Sequence, residues 1–189
     1  MDITTSLYTG KLVRLTRIEF EKDPETLAEW SKEASLARML NETPARPLAS
    51  EQIKKRLEKV EKEMDESRSL FYFHIRPLNE EKLVGWGKIF WILWPSQIGC
   101  LELAIGPSEQ GKGYGSDAMA LFLRLAFNEL NLHRLTVMLP EYNIRGIELA
   151  KKFAFSEEVR RREVIFRDGR RWDSLQLGLL RSEWSVNHE

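Results

Sequence analysis

The chain is poor in the features that would commit it to several classes. It has one cysteine, Cys100, which excludes an internal disulfide and any multi-cysteine zinc site and reads as a buried, inert thiol. It has no charge excess, with Lys plus Arg and Asp plus Glu both at 29. A nucleic-acid surface normally needs a basic surplus, so no nucleic-acid partner is expected. The longest apolar run, Ile89 to Trp94, is six residues and far too short to span a bilayer, so no membrane association is expected. The opening MDITTSLYTGKL has no basic segment followed by an apolar one, so no signal peptide is expected and a cytoplasmic protein is the expectation. His74, His133 and His188 are scattered, and no His/Asp/Glu group has metal-ligand spacing, so no metal is expected.

What remains is an ordinary globular composition, 42% apolar and 31% charged over 189 residues, which suits one domain spanning 1–189. KLVRLTRI after Gly10 reads as a strand. DPETLAEWSKEASLARML reads as one helix, with Asp23 as cap and Pro24 at the first helical position. RPLASEQIKKRLEKVEKEMDES reads as a second, capped by Ser50, with Ile53, Leu57, Val60 and Met64 as its apolar stripe. SLFYFHIRPL, KLVGWGKIFWIL and GCLELAIG then read as an antiparallel meander. The rest predicts a helix in SDAMALFLRLAFNELN, a strand in HRLTVMLP and a short helix in NIRGIELAKKFAF. A final hairpin turns at Asp168-Gly169. The expected fold is α+β, a mixed central sheet of about seven strands flanked by four helices.

The stretch GPSEQGKGYG, Gly106 to Gly115, carries the chemistry. It nearly spells a P-loop, but Gly113 stands where that motif needs Ser or Thr for Mg²⁺, and Pro107 removes an N–H from the cradle. Gly111, Gly113 and Gly115 also lack the dinucleotide spacing. A third frame, Gln110 to Gly115 opening a helix, fits its context. Its glycines let backbone N–H groups turn toward one point, and the helix N-terminus adds partial positive charge there. That arrangement suits a pyrophosphate; a glycine-rich turn with no ligand is the alternative.

Together LELAIGPSEQGKGYGSDAM, FNELNLHRLTVMLPEYNIRGIELAKKFAF and VRRREVIFRDGRRWDSLQLGLL resemble the GNAT superfamily of acetyl-CoA-dependent N-acetyltransferases, in particular its ribosomal-protein and polyamine branch. The resemblance implies acetyl-CoA as cosubstrate and direct transfer to a primary amine: a protein N-terminus, a polyamine or another small amine. It implies that Gln110, Gly111, Lys112, Gly113, Tyr114, Gly115 and Ser116 form the pyrophosphate loop. Leu103, Ala104 and Ile105 would pair with the pantetheine arm and supply a backbone N–H to the thioester carbonyl, and Asn143 would contact the arm. The family's strand carries a bulge that splays it from the next.

Glu102 is the candidate general base, because its side chain points opposite to Leu101 and Leu103; a strand carboxylate paired with a Lys or Arg is the other reading. The usual acid is missing, since relatives place Tyr where this chain has Ala150. Either Tyr142 or a water substitutes, or the protein is a CoA-binding module with little catalysis. Glu33, Glu42 and Glu102 are candidates for an acidic cleft around a cationic acceptor. Trp86, Phe90, Trp91 and Trp94 are open to core packing, an acceptor pocket or a homodimer contact. Arg160–Arg162 and Arg170–Arg171 read as a solvated edge strand.

Overall fold

The computed structural model describes residues 6–40 and 44–186. Its chain order is β1 (Val13–Thr16), α1 (Asp23–Ser31), α2 (Ala34–Met39), α3 (Ser50–Ser67), β2 (Phe71–Pro77), β3 (Gly85–Leu93) and β4 (Ile98–Ile105). Then come α4 (Tyr114–Arg124), β5 (Arg134–Pro140), α5 (Ile144–Lys152), β6 (Ser156–Arg167), β7 (Arg170–Leu180) and α6 (Arg181–Val186). The seven strands make one sheet in the order β1-β2-β3-β4-β5-β7-β6. Only β4 and β5 run parallel; every other neighbouring pair is antiparallel. No helix among the described residues is long and apolar enough to cross a membrane.

Alternation along the strands divides the interior. Ile75, Ile89 and Leu101 share a core with α4, where Leu121, Phe122 and Leu123 are all fully buried. Burying a side chain such as Phe122 contributes roughly 1.5–3 kcal/mol. The opposite face carries Tyr72 and Trp86 and is covered by Ala28 of α1 and by Ile53 and Leu57 of α3. The predicted stripe of α3 is therefore its buried face, and its Lys and Glu residues are solvated. The sheet ends at β6, almost wholly exposed, so Arg160–Arg162 sit on an edge strand as expected, whereas Arg170 and Arg171 lie on β7, one strand in from the edge.

Several local expectations are corrected. Among the described residues six α-helices flank the sheet rather than four. The stretch 23–40 is two helices, because Ser31 ends the first. Its hydroxyl donates to the Ala28 carbonyl (2.7 Å) and accepts the Leu48 N–H (2.8 Å), competing with helix continuation. The second added helix is α6, which packs Trp184 on Phe127. Ala49, not Ser50, caps α3; its N–H is taken by the Gln52 side chain (3.1 Å). Asp23 does not cap α1 but turns inward, 1% exposed. The helix after the glycine loop starts at Tyr114 and finishes in a π-turn over Leu125–Glu129. Cys100 is half-buried, and burial raises its thiol pKa.

Candidate active site

The site opens where the parallel pairing fails. β4 and β5 pair only at Ile98↔Arg134, Gly99↔Leu135 and Cys100↔Thr136. Beyond Cys100 the strands diverge, so among the described residues no strand pairs with the β5-facing edge of Leu103–Ile105, while the other edge of β4 stays paired to β3. An extended ligand can occupy such an edge as an added strand. The extra residue that bends this region lies on β3, not on β4: the register shifts between Phe90 and Leu93, with Trp91 at φ +52°.

The glycine loop lies at the end of this cleft. Gly111 and Gly113 hold φ of +79° and +84°, and Gly113 is the residue that leads into α4. Among the described residues no acceptor engages the N–H groups of Gly111, Gly113, Tyr114 and Gly115. Orphan donors at a helix N-terminus are a cradle of the kind that suits an anion. A cavity of about 650 Å³ connects the cradle with Leu103, Ala104, Ile105, Ser116 and Asn143.

Some side chains predicted to touch a cofactor have other partners. Gln110 donates to the Ile105 carbonyl (3.3 Å) and accepts from Arg145 (3.0 Å). Lys112 binds Glu109 (2.9 Å). Asn143 caps α5, accepting the Gly146 N–H (3.0 Å) and donating to the Met39 carbonyl (3.0 Å). For Gln110 and Lys112 this leaves the backbone to face a ligand. Two cations were missed by sequence reasoning. Arg145 and Lys152, seven residues apart on α5, reach Gln110 and the Ser116 hydroxyl (3.0 Å), placing positive charge beside the cradle. Their i, i+7 spacing was the available signal.

Glu109 anchors the loop. It is 3% exposed, and hydrogen bonds from Lys112 and Lys82, outweighing desolvation, hold its carboxyl at about 2 against an ordinary 4.5. A depressed folded-state pKa stabilises the fold above pH 4.5, and that contribution is lost as pH falls toward 2. Both lysines are about half exposed, so solvent discounts the gain. Glu109→Gln is expected to cost about 1–2 kcal/mol at pH 7 and roughly half of that or less at pH 3, as read by urea unfolding at both.

Among the catalytic candidates, Glu102 lies on the α1/α3 face of the sheet and Ala150 packs in the core on the α4 side. Glu102 points away from Leu101 and Leu103, as expected, and pairs with Lys88 directly across on β3 (2.9 Å). Glu102 and Ala150 both line a second cavity of about 430 Å³ in the splay between β4 and β5. Ala150 is 1% exposed, so no hydroxyl enters from the usual position. Tyr142 lines the cradle cavity, but its hydroxyl donates to the Arg38 carbonyl (2.8 Å), and burial raises its pKa. Glu33 is exposed and lines none of these cavities, and Glu42 lies outside the described residues. Trp86, Phe90 and Trp91 line a third cavity; Trp94 is in a short turn apart from it.

A glycine cradle, an opened parallel strand pair and an adjoining pocket agree with one known domain. Residues 13–156 match the acetyltransferase (GNAT) domain. The chain belongs to the GNAT family. It is 30% identical over 86 residues to the uncharacterized N-acetyltransferase YokL of the SPbeta prophage in Bacillus subtilis, covering 46% of this chain and 49% of that protein. It is 24% identical over 124 residues to the ribosomal protein uS5-alanine N-acetyltransferase of Escherichia coli, covering 65% and 64%. The chain thus matches about half the length of the first relative and under two thirds of the second. The crystal structure of spermidine N-acetyltransferase from Vibrio cholerae in complex with CoA and spermine has a TM-score of 0.78 to this GNAT chain at 20% identity. It covers 92% of this chain and 98% of that one, a likeness of fold.

Proposed function

We propose that this GNAT protein transfers an acetyl group from acetyl-CoA directly to a primary amine. The observation that carries the proposal is the end of β4–β5 pairing at Cys100, which leaves an open strand edge running into the Gly111–Gly115 cradle. Backbone N–H groups of the cradle bind the pyrophosphate, with Arg145 and Lys152 adding positive charge. The open edge of Leu103–Ile105 orients the pantetheine arm and donates to the thioester carbonyl, stabilising the charge that develops there. Acetyl-CoA supplies the activated acyl group, and the chain positions it and manages the protons.

Glu102 is the proton acceptor in this scheme, directly or through water. Its Oε2 is engaged by Lys88, so an incoming amine must share or displace that contact. Incubation with acetyl-CoA and an amine panel, following free thiol, tests the activity. Glu102→Gln is expected to lower turnover by about 100-fold with acetyl-CoA affinity unchanged, since only proton transfer is lost. Full activity in that variant removes Glu102 from the mechanism.

A second reading is a CoA-binding module with little catalysis. Ala150 in the splay and the Tyr142 hydroxyl committed to Arg38 favour it. Tight CoA binding without thiol release on any amine selects it.

A further inference from the structure

Resting on the N-acetyltransferase reading, we infer that the cavity between α1–α3 and the β2–β3 face is the acceptor site. Its substrate class is a primary amine on an aromatic or branched apolar body with an anionic group at the far end; polyamines are disfavoured.

The cavity holds about 360 Å³. Trp30, Leu57, Leu70, Tyr72, Trp86 and Phe90 form much of its wall, and the Tyr72 and Trp86 rings stack at 5.7 Å and 19°. Leu40, Lys88, Phe90 and Trp91 line both this cavity and the one in the splay, so the two adjoin and an amine held here lies next to the cleft assigned to the thioester. Burying an apolar body against these rings favours binding through the hydrophobic effect.

Charge then selects among amines. Among the described residues, the charged ones lining this cavity are three cations, Arg46, Arg56 and Lys88, and one carboxylate, Glu63. Lys88 is offset by Glu102 at the inner end, where its ammonium also lies 4.8 Å from the centre of the Phe90 ring and 5.6 Å from that of Trp86. Arg46 and Arg56 are exposed, and among the described residues neither contacts a carboxylate. A polyamine carries ammonium groups along its length and would set one or more of them beside these guanidiniums. Like charges brought together repel, an effect that solvent weakens at these exposed side chains, whereas a carboxylate there gains a charge-assisted, bidentate contact.

The test is calorimetric titration of the full chain at pH 7 with 4-(aminomethyl)benzoate, benzylamine and spermidine, without CoA and again with CoA present. The expected order of affinity is that order, with the benzoate about tenfold tighter than benzylamine. The double substitution Arg46→Glu and Arg56→Glu is expected to erase the preference for the benzoate over benzylamine. Spermidine binding as tightly as the aromatic amines, a benzoate preference that survives the double substitution, or no binding of any of the three overturns the inference. CoA titrated alone reports separately on the transferase reading: CoA bound with the wrong amine order sinks the acceptor inference only. The right amine order without CoA binding sinks the transferase reading instead.

Discussion

Gly113→Asp is expected to raise the dissociation constant for acetyl-CoA by ~100-fold or more. Two costs combine. Gly113 sits at φ +84°, a region where an L side chain pays roughly 1–2 kcal/mol. A Cβ there also meets Leu12 Cδ1 at 3.1 Å. The larger cost is electrostatic, since the new carboxylate stands at the helix N-terminus where the pyrophosphate is assigned. Gly113→Ala separates the two, carrying the strain without the charge, and is expected to lose only about tenfold. Gly111→Ala bears strain alone, since its Cβ meets nothing within 4 Å. Calorimetric titration of acetyl-CoA into the three variants checks the ranking. Equal affinity of the Asp and Ala variants at position 113 would remove the phosphate from this loop.

The sheet and the backbone of the glycine loop were readable because each rests on local pattern. Alternation in FYFHIRP and GCLELAI marks strands whose faces differ in polarity, and these are β2 and β4. The glycines of QGKGYG mark left-handed backbone, and Gly111 and Gly113 have it. Glu102 pointing away from Leu101 and Leu103 follows from period two alone. What could not be read depends on residues brought together from afar. Nothing near Ser31 announces that its hydroxyl will hold the Leu48 N–H and break a helix. Asp117 looks like a first-turn acid of α4, yet it accepts from the N–H groups of Lys11, Leu12 and Val13, more than a hundred residues earlier, and fastens the start of β1. The partner of Glu102 was foreseeable as a Lys or Arg but not as Lys88, because that needs the β3–β4 register, which the bulge at Trp91 shifts only beyond Phe90.

His74 was the plainest omission, and it leads to the largest expected loss of stability. As one of three scattered histidines it carried no pattern. In the fold it is fully buried, with Nδ1 2.6 Å from Asp23 and Nε2 3.2 Å from the Tyr72 hydroxyl. Asp23 also holds Arg76 through two contacts of 2.8 and 2.9 Å and accepts the Glu19 N–H at 2.6 Å. Burial pushes the Asp23 carboxyl up, but the bonds from His74, Arg76 and the Glu19 N–H outweigh it and hold the pKa below its ordinary value. Asp23→Ala is expected to cost about 3–5 kcal/mol, because Arg76, 1% exposed, then keeps a buried charge with its main counterion gone. Asp23→Leu combined with Arg76→Met removes both charges and is expected to recover more than half of that loss. Urea unfolding of the three proteins checks this through the midpoint, with the slope unchanged. The network also bears on function, since Asp23 fastens α1 to β2, and Leu27 and Trp30 of α1 wall the proposed acceptor cavity. A stable double variant with weakened aromatic-amine binding and unchanged CoA affinity is therefore the expected pairing of results. A cost below 1 kcal/mol for Asp23→Ala would mean that packing alone holds α1 in place.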